Sequence, residues 1–306
     1  MLQPELATLS HGERLPRLTL RGVDHTARPT WKLRETIEFY RDKLGLPLVH
    51  VISARGWGPA THPDFLHFFF DSGNGSAIAF FYYLGSDIPA ALVGREDRPP
   101  LPDDHVFDAT HTAWLVNGVE ELQAWKRRLE AQGLNVSVET THEVIESIYV
   151  RDPNGYFVEF TRKLRPLDGI DAADGALTLQ AALDAEDAAK RCGRRVTAID
   201  EIWSGKARLL DAINARDAHA APGVGIYVPA VGEFSALVKD ASGRAECRVM
   251  RLGDHDLIEC DGPIEFRRKA LGLKPAVWYG LFTGGVRGRI EVFDRDRVVI
   301  APAGTE

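Results

Sequence analysis

Cysteine is scarce in this sequence of 306 residues. The three cysteines are Cys192, Cys247 and Cys260, and no two of them form a Cys-x-x-Cys pair. Domains that depend on disulfides, and zinc sites built from thiolates, need cysteines in even numbers or at close spacing. The sequence therefore predicts neither a disulfide framework nor a thiolate zinc site.

Positive charge is also in short supply, because 37 lysines and arginines stand against 44 aspartates and glutamates, for a net charge of −7. Proteins that bind nucleic acid or anionic membranes through charge need the opposite balance. No apolar run approaches the roughly 20 residues that span a bilayer. The N-terminal segment lacks the basic-then-apolar pattern of a secretory signal. We therefore expect a cytoplasmic protein that binds neither nucleic acid nor membrane.

What the sequence does contain is an internal repeat. Two stretches, about 18–83 and 105–163, each have the pattern of a strand, an amphipathic helix and several further strands, and a proline-rich linker joins them. Their last strands are connected by turns at Asn74-Gly75 and Asn154-Gly155, which are typical of hairpins. Because hairpin-joined strands run antiparallel, a series of parallel crossovers is excluded. The pattern predicts an α+β fold in which paired βαβββ modules form a curved-sheet cleft.

The pattern changes after this repeat, which predicts a second domain. We expect a first domain over residues 1–165, a linker near Leu164–Ala173, and a β-rich C-terminal domain of unknown role over residues 174–306. Within the second domain, the segments 233–240 and 276–283 have the short apolar pattern of strands. No motif with a known mechanism occurs there, so we expect this domain to support the first one by packing or by an oligomer contact.

Three candidate metal ligands occupy positions related by the repeat. His25 and His111 lie at the opening strands of their copies, and Glu159 lies between apolar neighbours in the last strand of the second copy. Burial of a lone carboxylate is unfavourable unless a cation accompanies it. Two imidazoles and one carboxylate form a ligand set that suits Fe(II) and leaves coordination positions open. Alignment of the two Asn-Gly turns places Glu159 opposite Ala79, which cannot bind a metal, so the predicted site is asymmetric.

These features resemble the vicinal oxygen chelate superfamily, which includes glyoxalases, bleomycin- and fosfomycin-resistance proteins and type I extradiol dioxygenases. The pattern Thr140-Thr-His142-(five residues)-Ile148-Tyr149-Val-Arg-Asp152-Pro153-Asn-Gly155-(three residues)-Glu159 is similar to the signature of the extradiol enzymes. The resemblance covers about residues 18–163. It implies that Glu159 is a metal ligand, and that His142 and Tyr149 donate hydrogen bonds to a catecholate bound at the metal.

The resemblance also implies an activity. It points to a non-haem Fe(II) dioxygenase that uses O2 to cleave the ring of a small catechol-like aromatic, with Mn(II) or Zn(II) as alternative metals. Two other functions stay open. One is metal Lewis-acid chemistry by an isomerase, lyase or transferase of the glyoxalase or fosfomycin-resistance type, and the other is ligand binding without catalysis. A homo-oligomer is compatible with each of these functions.

The sequence departs from the extradiol pattern at one catalytic position. Members of that family usually carry an acid–base histidine on the strand that here has the sequence Ser76–Phe80, and this strand has none. His67, His62 and His105 are the candidates to replace it. The alternation of residues along the strands does not by itself choose among the three.

Overall fold

The computed structural model describes residues 22–56, 61–101, 105–216 and 223–303. Within these residues the chain divides into two compact units. The repeat unit contains residues 22–140 and 145–164. The C-terminal unit contains Thr141–Val144 and the described residues from Arg165 onward.

The first copy of the repeat forms a four-stranded sheet. Its elements in chain order are β1 (His25–Thr30), α1 (Leu33–Ile37, continued by a π-helical turn over Glu38–Lys43), β2 (Leu48–Ala54), β3 (Phe65–Gly73) and β4 (Ser76–Tyr83). The strand order is β1-β4-β3-β2, with β1 parallel to β4 and the other pairs antiparallel. The first strand begins at His25, and residues 18–21 of the first repeat lie outside the described residues.

The second copy forms a sheet of the same topology. Its elements are α2 (His105–Asp108), β5 (Thr112–Leu115), α3 (Gly118–Ala131), β6 (Thr140–Thr141), β7 (Ile145–Arg151) and β8 (Phe157–Lys163). The strand order is β5-β8-β7-β6, with β5 parallel to β8 and β7 antiparallel to it. The repeated order confirms the predicted fold class of paired βαβββ modules. Two short 3-10 turns, Ala90–Leu92 and Arg95–Asp97, lie in the segment between the copies.

One face of each sheet is buried in the core of the repeat unit. Residues of β3 and β4 alternate between the two faces, so that Phe68, Phe70 and Phe80 pack in the core. Phe69 and Phe81 lie on the opposite face of the same sheet by that alternation. Each fully buried aromatic side chain contributes about 1.5–3 kcal/mol to the stability of the core. The opposite face of each sheet, called the free face below, does not contribute side chains to this core.

The turn between β7 and β8 is joined to the first copy by buried polar groups. Asp152 is 1% exposed and accepts hydrogen bonds at 2.9 Å from the backbone N–H groups of Asn154 and Tyr156 and from the Tyr40 hydroxyl. The Thr30 hydroxyl donates to the side-chain oxygen of Asn154 at 2.7 Å. Buried polar groups of this kind are costly to leave unpaired. The Asp-Pro-Asn-Gly part of the sequence signature therefore serves to hold the two copies together.

The C-terminal unit contains two further sheets and most of the helical residues. Its elements are α4 (Gly169–Arg191), α5 (Ile199–Ile213), β9 (Val224–Pro229), α6 (Ser235–Ser242), β10 (Cys247–Leu252), β11 (His255–Cys260), β12 (Ile264–Arg267), α7 (Arg268–Leu271), α8 (Pro275–Tyr279), β13 (Val286–Arg287), β14 (Arg289–Phe293) and β15 (Arg297–Ala301). The strand orders are β10-β11-β9-β13 and β12-β15-β14. No helix among the described residues of the chain is long and apolar enough to cross a membrane.

Two segments of this unit that the sequence predicted as strands are helical. Residues 233–240 overlap α6, in which Leu237 and Ala241 are both buried four residues apart, as on one face of a helix. Residues 276–283 overlap α8, which begins with Pro275 at its first turn and buries Trp278. Short apolar segments carry too little periodicity to separate a strand from a buried helical turn, which is why both predictions were wrong.

One disulfide links the hairpin of β10 and β11. Cys247 and Cys260 face each other directly in the antiparallel register and form a disulfide bond. Cys192 is free and exposed. The sequence did not predict this pair, because the spacing of two cysteines does not reveal that a hairpin register places them opposite each other.

Gly155 in the β7–β8 turn provides a test of how the copies are joined. It has a φ of +82°, and an added Cβ would overlap the Cβ of Arg95. Gly75, at the equivalent turn of the first copy, has a φ of +75° and open space around it. We predict that Gly155→Ala lowers the free energy of unfolding by about 3 kcal/mol or more, because backbone strain and overlap add, whereas Gly75→Ala lowers it by about 1–2 kcal/mol.

Denaturant titration of the two single variants measures this difference. Equal losses of stability would contradict the account of the β7–β8 turn, because both glycines have the same backbone conformation and only Gly155 is packed against another segment.

Candidate functional site

The strand registers place His25 and His111 at equivalent positions of the two copies. Ala27 of β1 pairs with Ala79 of β4, and Ala113 of β5 pairs with Glu159 of β8. His25 and His111 each come two residues before the paired alanine of their own strand. Side chains two residues apart on a strand lie on one face. The register therefore agrees with the alignment of Ala79 with Glu159 that the Asn-Gly turns suggested.

Glu159 is the buried centre of a polar cluster on the free face of the second sheet. Its side chain is 4% exposed, and its Oε2 atom lies 3.0 Å from Nε2 of His111. The Ser147 hydroxyl donates to Oε1 at 2.5 Å. Tyr149 pairs directly with Glu159 across β7 and β8. Burial raises the pKa of Tyr149 to about 12, and the charge of Glu159 contributes to this rise, so the hydroxyl stays protonated at neutral pH.

The hydrogen bonding of His111 directs its second ring nitrogen at Glu159. Its Nδ1 atom lies 3.0 Å from the carbonyl oxygen of Asp108, which can only accept a hydrogen bond, so Nδ1 carries the proton. In the neutral ring, Nε2 then has a lone pair directed at the carboxylate of Glu159. Two such acceptors at 3.0 Å need a positive charge between them, which either a proton on Nε2 or a metal ion supplies. This donor set fits a divalent metal ion.

His25 has the same type of orientation. Its Nδ1 atom lies 2.7 Å from Oδ1 of Asp24, which leaves Nε2 as the nitrogen that can bind a metal. The ring contacts Phe69 and lies 6.2 Å from the ring of His67, centroid to centroid. In the described parts of the chain, no three His, Cys, Asp or Glu side chains are grouped closely enough to hold one ion. The structure thus brings His111 and Glu159 together, and the complete set with His25 stays a prediction.

His67 is the candidate acid–base histidine that the structure places near His25. It lies on the free face of the first sheet, where its ring stacks on Phe81 with centroids 3.7 Å apart. Nδ1 lies 3.2 Å from the carbonyl oxygen of Phe80, so the proton is held there and Nε2 is available as a base. Burial lowers the pKa of His67, and the nearby His25 and His50 lower it further, which favours the neutral ring.

The other two candidates lie elsewhere. The His62 ring contacts Phe65 and Tyr83 at the end of the β3–β4 hairpin. His105 is exposed at the start of α2. Register, which the sequence alone does not reveal, is what separates His67 from these two.

The extradiol resemblance implied two hydrogen-bond donors, Tyr149 and His142, which lie in different segments of the chain. Tyr149 pairs with Glu159 across β7 and β8, and its implied role as a donor to the substrate stays a prediction. His142 lies in Thr141–Val144, a segment that groups with the C-terminal unit. The sequence pattern did not single out Ser147, although its position two residues before Tyr149 on the same strand places it on the same face.

Aromatic side chains line the free face of the first sheet beside His67. Phe81 and Tyr83 are stacked with an interplanar angle of 7° and centroids 5.6 Å apart. Phe69 contacts His67 with centroids 4.2 Å apart. Such a surface can hold a flat apolar ring against it.

Comparison with known proteins supports a superfamily for part of the chain. Residues 22–160 match the family model described as Glyoxalase/Bleomycin resistance protein/Dioxygenase superfamily. This match supports a domain of that superfamily over the repeat, and it does not separate the extradiol branch from the others. No curated protein matches the sequence significantly.

Several solved structures resemble the same half of the chain. Lactoylglutathione lyase from Agrobacterium tumefaciens is 23% identical with a TM-score of 0.32, and the match covers 47% of this chain and 95% of that chain. A glyoxalase/dioxygenase from Nostoc punctiforme is 17% identical with a TM-score of 0.36, covering 51% and 100%. TnmS3, an antibiotic binding protein from Streptomyces sp. CB03234, is 14% identical with a TM-score of 0.33, covering 48% and 99%.

The predicted ligand set can be tested by metal retention. We predict that His25→Ala, His111→Ala and Glu159→Gln each reduce Fe(II) affinity by more than about 100-fold, because loss of groups that merely orient ligands already costs about 10–100-fold. Iron per chain is measured after anaerobic loading and desalting, with the exposed His105→Ala as the matched control. If His25→Ala retains as much iron as the control variant, His25 is not a ligand.

Proposed function

We propose that this protein is a metal-dependent, extradiol-type ring-cleaving dioxygenase that acts on a small catechol-like aromatic. The observation that carries the proposal is the buried carboxylate of Glu159 with His111 and Tyr149 beside it. Ala79 occupies the position in the first copy that Glu159 occupies in the second, so only the second copy supplies a carboxylate. An open, asymmetric site suits a metal that must bind both a chelating diol and O2.

The predicted ligands are His25, His111 and Glu159, with Fe(II) as the first choice of metal and Mn(II) or Zn(II) as alternatives. When bound, such an ion would supply Lewis acidity and a common binding site for the diol and O2. The remaining steps depend on side chains of the chain itself. Tyr149 stays protonated and can donate a hydrogen bond to negative charge that develops on the substrate.

His67 supplies the proton transfer in this proposal. With its proton held on Nδ1 by the Phe80 carbonyl, Nε2 can accept a proton from a catechol hydroxyl. The neutral state that burial favours is the state that a base needs. The stacked Phe81 and Tyr83 provide a flat apolar surface for the substrate ring next to His67.

The overall reaction balances without an external reductant. One carbon–carbon bond beside the two hydroxylated carbons breaks, and both atoms of O2 enter the ring-opened product. O2 accepts the four electrons that the catechol loses in ring opening. The product is a hydroxylated dienoic acid that carries an aldehyde or ketone.

A second function is favoured by one specific observation. Only two of the three predicted ligands are grouped among the described residues, which is what a ligand-binding protein without a metal would show. In that case an aromatic compound would bind equally well after chelation of all metal, and no O2 would be consumed. Isomerase chemistry of the glyoxalase type is less favoured, because Ala79 occupies the position of a fourth ligand.

Tyr149 offers the first test of turnover. We predict that Tyr149→Phe lowers kcat with the preferred catechol by about 100-fold and leaves the iron content unchanged, because the hydroxyl acts on developing charge and does not bind the metal. Oxygen uptake over a panel of catechols measures kcat. The exposed Tyr279→Phe is the matched control and should keep full activity. Full activity of Tyr149→Phe would remove Tyr149 from the mechanism.

His67 offers the second test. We predict that His67→Gln lowers kcat by about 100-fold or more while KM and iron content change little, because general-base catalysis contributes about 10²–10⁴-fold. His62→Gln is the control, and the same oxygen-uptake assay measures both variants. A result in which both variants are equally active would assign the proton transfer to another group.

A further inference from the structure

The C-terminal unit contains a cavity that is lined by none of the predicted metal ligands. Its volume is about 410 Å³, which lies in the range of small-molecule sites. It lies against the first half of α4, the end of β9 and the turn that follows α8. The lining residues on which binding would depend are Glu143, Asp174, Gly175, Leu167, Leu179 and Phe234.

The wall formed by α4 follows from helical spacing. Asp171, Asp174, Gly175, Thr178 and Leu179 recur at three- and four-residue intervals and so share one face of the helix. Gly175 widens the cavity, because a Cβ added there would meet no atom within 4 Å. Glycine in a helix interior lowers the stability of the helix by about 1 kcal/mol relative to alanine. What Gly175 contributes in return is the open space beside it.

Two carboxylates in the cavity have unused acceptor atoms. Glu143 is half-buried and makes no hydrogen bond or ion pair with any residue that the structure describes. Oδ1 of Asp174 accepts hydrogen bonds from Lys206 at 2.5 Å and from Nε2 of His255 at 2.8 Å. Its Oδ2 atom has no partner among the same residues.

The neighbouring cations are already fully paired. Arg165 donates through Nε to Glu233 and through both terminal nitrogens to Asp171, each at 2.7 Å. Lys206 is 0% exposed. Its ammonium has three hydrogens, and it has three acceptors: Asp174, the Thr178 hydroxyl at 2.8 Å and the Thr283 carbonyl at 2.7 Å.

Charge around the cavity is therefore out of balance. Four carboxylates stand against two cations, Arg165 and Lys206, and the His255 ring that contacts Asp174; the carboxylates are Glu143, Asp171, Asp174 and Glu233. Burial raises the pKa of Glu143, and the charges of Glu233 and Asp174 raise it further. A positive charge placed beside Glu143 would relieve this repulsion.

We infer that this cavity binds a small organic cation, a primary ammonium attached to an apolar body. The ammonium would donate hydrogen bonds to Glu143 and to the free oxygen of Asp174. The apolar body would pack on Leu167, Leu179 and Phe234, which line the remaining wall. In the described residues, no third histidine or carboxylate completes a metal-binding group with these two acids, which favours an ammonium over a metal ion.

Calorimetric titration of the full-length protein at neutral pH tests the inference with three probes of one shape. 2-Phenylethylamine is the cation, 2-phenylethanol the neutral analogue and 3-phenylpropionate the anion. We expect the amine to bind at least about tenfold more tightly than the other two, since charge-assisted hydrogen bonds exceed that difference. Equal affinities for the three probes, or no binding of the amine, would overturn the inference.

Three variants locate the binding. Glu143→Gln removes the charge with the shape kept and should weaken amine binding at least about tenfold. Gly175→Leu places a side chain in the open space and should abolish binding, with folding checked by thermal melting. Glu246→Gln, at an exposed site outside the cavity, is the matched control and should bind as the wild type does. If Glu143→Gln and Gly175→Leu bind the amine like the control, the amine binds elsewhere and the inference is wrong.

Discussion

The candidate site depends on one electrostatic constraint, the burial of the Glu159 carboxylate. A carboxylate that is 4% exposed must be stabilised by hydrogen bonds or by a cation. The Ser147 hydroxyl supplies a neutral donor, and the backbone carbonyl of Asp108 holds the His111 ring so that Nε2 faces the acid. The cluster thus favours a positive charge beside the carboxylate, which a proton on His111 or a metal ion would supply.

The repeat explains why only one of the two copies supplies a carboxylate to the candidate site. Both copies share strand order and register, so each position in one sheet has a counterpart in the other. Histidine is kept at the start of β1 and β5, whereas Glu159 is replaced by Ala79. Ser147, which supports the acid, corresponds to His67, which can act as a base. In the proposed site, the second sheet would supply Glu159 together with His111, and the first would supply His25, the base His67 and the aromatic surface.

The sequence predicted the repeat and the fold class, because helix periodicity and Asn-Gly turns are local signals. It also predicted His111, Glu159 and Tyr149 as neighbours. It did not choose His67 over His62, and the role of His142, whose segment groups with the C-terminal unit, stays a prediction. These outcomes depend on strand register and on which unit a loop joins, and neither is encoded in local spacing. The same limit made 276–283 look like a strand when Pro275 begins a helix there.

X-ray absorption of the anaerobic Fe(II)-loaded protein is the most direct test of the central claim that Glu159 and two histidines share one ion. The account predicts two imidazole nitrogens and a carboxylate oxygen at about 2.0–2.2 Å, with one imidazole fewer in His25→Ala. A spectrum with no imidazole ligands, or one that is unchanged in His25→Ala, would contradict it.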